Sequence, residues 1–196
     1  MTRIAPLEAP FEPDVATRLA KMMPGGAAPI ALFRTFVRNM AMAEAMGGWG
    51  GYELSKRLSL STRQRELVID RVTARCGCEY EWGVHIAFFA DHVGLTMPQQ
   101  RSITHGSGDD PCWPAEEATL LRAVDELHDD ADISDSTWDA LTAFLSDEQL
   151  LDLLMLAGWY HAISFAANAA RVPLEDGAPR FDDLLSRFSA RGTHAG

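Results

Sequence analysis

Apolar positions along the chain recur at helical spacing, and runs with the alternation of a half-buried strand are scarce. Between residues 29 and 46, Ile30, Phe33, Phe36, Val37, Met40 and Ala41 form one stripe. The run Gly47-Gly48-Trp49-Gly50-Gly51 is expected to break that helix before a short one over 52–58. Ser61-Thr62-Arg63-Gln64 has capping-box spacing and opens a helix to about residue 75. Gly77 interrupts it, a second helix follows over about 78–93, and Gly94 stands where a helix C-terminus favours glycine. Thr96 and Gln99 repeat the capping-box spacing ahead of a short helix to about residue 103. Pro114 is expected at the first position of an acidic-fronted helix to about 128, which suits the helix dipole. Ser134 or Asp135 caps a helix to 145, and Ser146-Asp147-Glu148-Gln149 opens a last long helix to about 172. The middle of that helix, LLMLAGWYHAISFAA, is apolar nearly all round and belongs in a core or a subunit interface.

The ends read differently. Three prolines within residues 1–13 mark an extended arm, and Asp14 is expected to cap a short helix that Pro24-Gly25-Gly26 ends. Residues 171–180 read as loop and 181–188 as a terminal helix. The pattern predicts an all-α bundle of seven to nine helices. Its parts are an arm with a short helix over 1–28, a helical domain over 29–172 with the loop 104–114 between its halves, and a tail over 173–196.

Charge and cysteine usage narrow the function. Seventeen basic and 28 acidic residues give a net charge of −11, which repels phosphate backbones and anionic lipid. Neither nucleic acid nor a membrane is therefore expected as a partner. The richest apolar stretch, residues 150–170, is interrupted by Asp152, His161, Ser164 and Asn168. The sequence opens without a basic segment followed by an apolar run, so no secretory signal is expected. Three cysteines, Cys76, Cys78 and Cys112, are an odd count that fits a reducing cytoplasm better than a disulfide framework.

Chemistry concentrates between Arg65 and His85, in RELVIDRVTARCGCEYEWGVH. On a helix starting at Cys78, at about 100° per residue, Glu81 lies about 60° to one side, Trp82 about 40° to the other, and His85 about 20° away. A thiol, a carboxylate and an imidazole thus share a stripe with Trp82, Ile86 and Phe89, the buried kind of face, where uncompensated polar groups are costly. Glu66 flanks the apolar stripe of the preceding helix. A hairpin across Gly77 would bring it towards His85, where a carboxylate orients an imidazole for proton transfer. Two plainer readings stand beside this one: Glu81 and His85 as a helix-surface pair, and Cys78 as an inert small core residue. Cys-x-Cys with one nearby histidine does not supply a closed zinc set, so no metal is expected. Gly77 could let Cys76 and Cys78 meet in a tight turn, whereas in a continuous helix they would diverge. His161 and Tyr160 could line a pocket or be satisfied core groups.

The Arg-Glu-Leu start, the cysteine-containing turn, Glu-Tyr-Glu-Trp-Gly-x-His and the Gly-Leu stop, over residues 60–95, resemble the carboxymuconolactone decarboxylase / alkylhydroperoxidase D-like family of small all-helical bacterial proteins. The resemblance is weaker over 150–172. The peroxidase branch uses a glutamate, a Cys-x-x-Cys pair and a histidine. By spacing these fall on Glu66, Cys78 and His85, but the second cysteine falls on Glu81, a carboxylate that cannot form a disulfide. The decarboxylase branch needs no dithiol. The resemblance therefore implies a cofactor-independent enzyme acting on a small anionic lactone or a related aromatic-catabolism intermediate. His85 would be its acid/base and Glu66 would orient it, with Cys78 and Glu81 lining the pocket. A thiol peroxidase using Cys78, and a non-catalytic oligomeric binding module, are the alternatives. The family also implies a homo-oligomer, a trimer or a hexamer. Sedimentation at micromolar concentration should give a mass well above the 21.5 kDa of one chain, and a monomer mass would refute the assembly.

Overall fold

The structure is a computed structural model, described over residues 1–185. Three helices begin at the capping boxes that the sequence marks: α4 (Thr62–Arg75) at Ser61, α6 (Met97–His105) at Thr96 and α9 (Asp147–Ala170) at Ser146. The remaining helices are α1 (Pro13–Met22), α2 (Ala31–Phe36), α3 (Met40–Glu53), α5 (Glu79–Phe89), α7 (Ala115–Asp130) and α8 (Asp135–Thr142). A 3-10 turn spans Pro24–Gly26, and the described residues contain no strand.

Helix α4 is the hub, packing against α5, α6, α7 and α9. Its residues 65–73 are buried without interruption, although four of them are ionisable: Arg65, Glu66, Asp70 and Arg71. Such burial is tolerable only where the charges are paired and their hydrogen bonds met. Arg71 lays its Nε and Nη2 on the two carboxylate oxygens of Asp125, each at 2.7 Å, and donates Nη1–H to the Ile103 carbonyl at 2.7 Å. Outside the buried stretch, Arg63 grips Glu117 of α7 in the same two-pronged way. Asp152 ties α9 to the segment before α4, accepting from the Ser59 amide and hydroxyl and from the Tyr52 hydroxyl.

The elements depart from expectation in instructive places. The stripe over 29–46 is two helices: α2 stops at Phe36, and the Asn39 side chain accepts from the Met42 amide to start α3. The glycine run does not break α3. A Cβ on Gly50 would lie 3.1 Å from the Trp159 ring, and one on Gly47 would run into the Arg18 guanidinium. Close approach by neighbours thus offsets the helix penalty of about 1 kcal/mol per glycine. Trp49 stacks on Trp159 at 5.6 Å between centroids, locking α3 to α9. Helix α5 ends at Phe89 rather than 93, and Gly94, at φ +66°, allows the Leu95 amide to reach back to Ala90. Pro114 is the N-cap of α7 rather than its first residue. Residues 183–185 are helical, and the remainder of the helix expected over 181–188 lies outside the described residues.

Helix α9 is long and apolar enough to cross a membrane by length and composition, but ten of its residues are buried inside the bundle. Its outer face leaves Leu151 and Phe165 each 63% exposed.

The segment after α9 folds back on α5. Trp82 packs on Phe181 with centroids 5.1 Å apart, and the Glu79 carboxylate accepts from the Phe181 amide. Gly83 allows this approach, because a Cβ there would sit 2.7 Å from the Pro179 carbonyl oxygen. Gly83→Ala should cost about 1–3 kcal/mol by overpacking, read as a lower midpoint in urea unfolding. An unchanged midpoint would show that the segment moves aside freely.

Candidate active site

Gly77, at φ +59°, turns the chain between α4 and α5, and the two helices fold back as a pair. Glu66 leaves α4 and His85 leaves α5 towards each other, and His85 Nδ1 lies 2.8 Å from Glu66 Oε2. Both side chains are buried. The other Glu66 oxygen accepts from the Arg65 guanidinium at 2.6–2.7 Å, and Arg65 lies over the Phe89 ring. On the far side of the imidazole, Nε2 is 3.1 Å from the Tyr160 hydroxyl of α9 and 3.7 Å from Glu81 Oε1. The ring is thus held at both nitrogens, with Tyr160 edge-on to it.

These charges set one another. Burial disfavours the imidazolium, but the Glu66 carboxylate, assisted by Glu81, outweighs it and holds His85 up at about 10. Burial likewise opposes the Glu66 carboxylate, and His85 and Arg65 override it, leaving Glu66 below its ordinary value. Asp70, one turn along α4, is pushed well above the usual carboxylate range by burial and by the neighbouring Glu66 charge. At neutral pH the centre holds an imidazolium and an ionised Glu66. With His85 protonated, Nδ1–H donates to Glu66 and Nε2–H to the Tyr160 oxygen.

His85 opens onto a cavity of about 690 Å³. One wall is apolar, with Phe36, Phe89, Trp159 and Ile163. Arg65, Glu81, His85 and Tyr160 supply polar groups, and Arg18 and Lys21 reach it from α1. Glu81 Oε2 is buried without a hydrogen-bond partner. The cavity has the size and the mostly apolar, sparsely polar lining of a small-molecule site.

Of the four residues singled out from the sequence, three meet here: Glu66, Glu81 and His85. Cys78 does not join the cavity wall, contrary to expectation. It is the N-cap of α5, with non-helical backbone angles, so the helical projection does not carry its side chain. The thiol is fully buried in an apolar cluster with Leu32, Phe36 and Ile163. Burial pushes it up to about 11, the Glu81 carboxylate adds to this, and hydrogen bonding from the Glu81 amide opposes it. Cys76 and Cys78 are both free thiols. Sequence reasoning left Tyr160 undecided and missed Asp70, although Asp70 stands four residues after Glu66 and so shares its face.

Residues 41–126 match the carboxymuconolactone decarboxylase family. No curated protein matches the sequence. Several solved structures share the fold. A peroxidase-related protein from Silicibacter superposes with a TM-score of 0.74 at 16% identity, over 92% of this chain and 95% of the other. A peroxidase-related protein with the alkylhydroperoxidase AhpD core, from Ralstonia eutropha, gives 0.75 at 14% identity, over 88% and 93%. The debrominase Bmp8, in a cysteine-to-alanine variant holding 2,3,4-tribromopyrrole, gives 0.74 at 15% identity, over 95% and 97%. At these identities the likeness is one of fold.

The buried pair predicts a pH window for stability. A raised His85 stabilises fully below its ordinary value of 6.5, and that contribution is lost as pH rises through about 10. A lowered Glu66 stabilises above 4.5, and its contribution is lost as pH falls through its folded value. The pair should therefore support the fold most between about pH 4.5 and 6.5. In denaturant titrations Glu66→Gln should remove the decline above pH 6.5, and the same decline in both proteins would disprove the coupling.

Proposed function

We propose, from the match of residues 41–126 to the carboxymuconolactone decarboxylase family, that the chain is a cofactor-independent acid/base enzyme acting on a small anionic lactone or related ring compound. The observation that carries this reading is the placement of two candidate groups. His85, held between Glu66 and Tyr160, faces the cavity, whereas the Cys78 thiol is buried behind its apolar wall, covered by Leu32, Phe36 and Ile163.

Decarboxylation fits a centre whose resting imidazole is protonated. Breaking the carbon–carboxylate bond releases carbon dioxide and leaves its electron pair delocalised into the conjugated ring. That carbanion must then take a proton. His85 gives it from Nε2, Glu66 keeps Nδ1–H in place and stabilises the imidazolium until transfer, and water returns the proton afterwards. Arg65, with Arg18 and Lys21 at the cavity, attracts the substrate carboxylate. The apolar wall receives the ring and excludes water from the developing charge.

A thiol-redox reading is the second candidate, favoured by the peroxidase-related proteins and the debrominase that share the fold. It requires Cys78 to become exposed and ionised, against its burial and the Glu81 charge. The homo-oligomer expected from the sequence remains part of the proposal, and the exposed Leu151, Met155 and Phe165 of α9 support it. A cytoplasmic setting is proposed on the same footing, from the cysteine usage.

Substrate screening should use carboxylated lactones with detection of released carbon dioxide, alongside a peroxide-dependent thiol-oxidation assay. His85→Gln should lower kcat/KM by about 10²–10⁴-fold, and Cys78→Ala by far less. Activity should persist through neutral pH and fall as pH rises through about 10, where His85 loses its proton. Glu66→Gln should move that limb to lower pH. Peroxide consumption that survives in His85→Gln and vanishes in Cys78→Ala would make the thiol reading the correct one.

A further inference from the structure

Away from the cavity, three side chains outside the proposed reaction converge at the end of α4. Cys76 caps α4, His128 comes from the last turn of α7, and His161 from the middle of α9. We propose that Cys76, His128 and His161 form a binding site for a thiophilic divalent ion of the zinc class.

The geometry is close to a ligand set. Their donor atoms all lie within 4.8 Å of one another. His128 Nδ1 is 3.0 Å from His161 Nε2, and the Cys76 Sγ is 3.9 Å from His128 Nδ1. Tetrahedral zinc places two imidazole nitrogens about 3.3 Å apart and a sulfur about 3.6 Å from a nitrogen. Shifts of a few tenths of an ångström would bring the two measured pairs to those values. The two rings stack at 5.2 Å between centroids, with 29° between their planes.

The tautomer is set for coordination. His161 Nδ1–H donates to the Ala157 carbonyl at 2.8 Å, so its Nε2 carries the lone pair, which accepts from His128 Nδ1–H at 3.0 Å until an ion takes the place of that proton. A backbone carbonyl behind a ligating imidazole is the usual support for a metal-bound histidine. One thiolate and two imidazoles suit zinc or copper and not magnesium or calcium, which prefer oxygen. All three residues are half-buried, so an ion can enter, and a fourth position is left for water.

The charge nearby is compatible with a cation. Arg75 lies close but is engaged by Asp129 at 2.5 Å and Asp125 at 3.4 Å. Ion entry would send the Cys76 thiol proton to solvent and shift the His128 proton to Nε2, so one proton leaves per ion bound. The bound ion would pin α4, α7 and α9 together beside the Gly77 turn. It would also hold the Cys76 sulfur as a ligand, out of reach of a disulfide with Cys78. The sequence offered no sign of this, because His128 and His161 stand 52 and 85 residues from Cys76 and only the packing of α7 and α9 on α4 brings them in.

The test uses the full chain, reduced and stripped with a chelator. Cobalt(II) should bind one ion per chain with a thiolate-to-cobalt charge-transfer absorption, and zinc should displace it. Zinc affinity, measured by competition with a chromophoric chelator, should fall at least about 100-fold in Cys76→Ser and in His161→Ala. Cys78→Ala and Cys112→Ser should leave it unchanged. X-ray absorption of the zinc-loaded parent should show one sulfur and two imidazole nitrogens, a readout independent of whether any variant folds. Absence of the charge-transfer band, its persistence in Cys76→Ser, or a zinc shell without sulfur would each overturn the assignment.

Discussion

A buried carboxylate between two cations holds the centre of this protein together. Glu66 takes Arg65 on one oxygen and His85 on the other, inside a helix that water does not reach. An isolated charge there would cost several kcal/mol, so each member is tolerable only while the others are present. The row continues through His85 to Glu81, alternating in sign, while burial and the Glu66 charge push Asp70 well above the usual carboxylate range. Such a row tolerates little displacement. It fixes the approach of α5 to α4, and the Gly77 turn makes that approach possible.

The rest of the bundle follows from burying α4. Arg71 and Arg63 carry the same logic to α7, each with both prongs on one carboxylate. The surrounding helices are consequently held by directional contacts as well as by apolar packing. Helices α1, α2 and α3 pack on the outer side and leave the cavity beneath them. The glycines of α3 let Trp159 and Arg18 come close, so this side of the cavity is shaped by missing side chains as much as by present ones.

The single turn from Cys76 to Cys78 separates three kinds of chemistry. Cys76 faces two histidines, Cys78 is sealed in apolar surroundings, and the helix that follows carries His85 to the cavity. Two cysteines one residue apart thus lie in different environments. Their separation supports the proton-transfer reading proposed for the cavity.

By itself the sequence determined the all-α class, three of the helix starts and the meeting of Glu66 with His85. Those features rest on local chemistry: serine and threonine caps, 3.6-residue periodicity, and a glycine at a turn that needs positive φ. It did not determine that α3 runs through five residues containing four glycines, since helix propensity argues against this and only neighbours on α1 and α9 reverse it. Nor did it place Cys78, because projecting a helical stripe assumes a helical backbone and the chain there is still turning. Tyr160, Asp70 and the Cys76–His128–His161 cluster were decided by packing between helices far apart in the chain. Periodicity tells which face of a helix turns inward, but which inward faces meet is fixed only when the whole core closes.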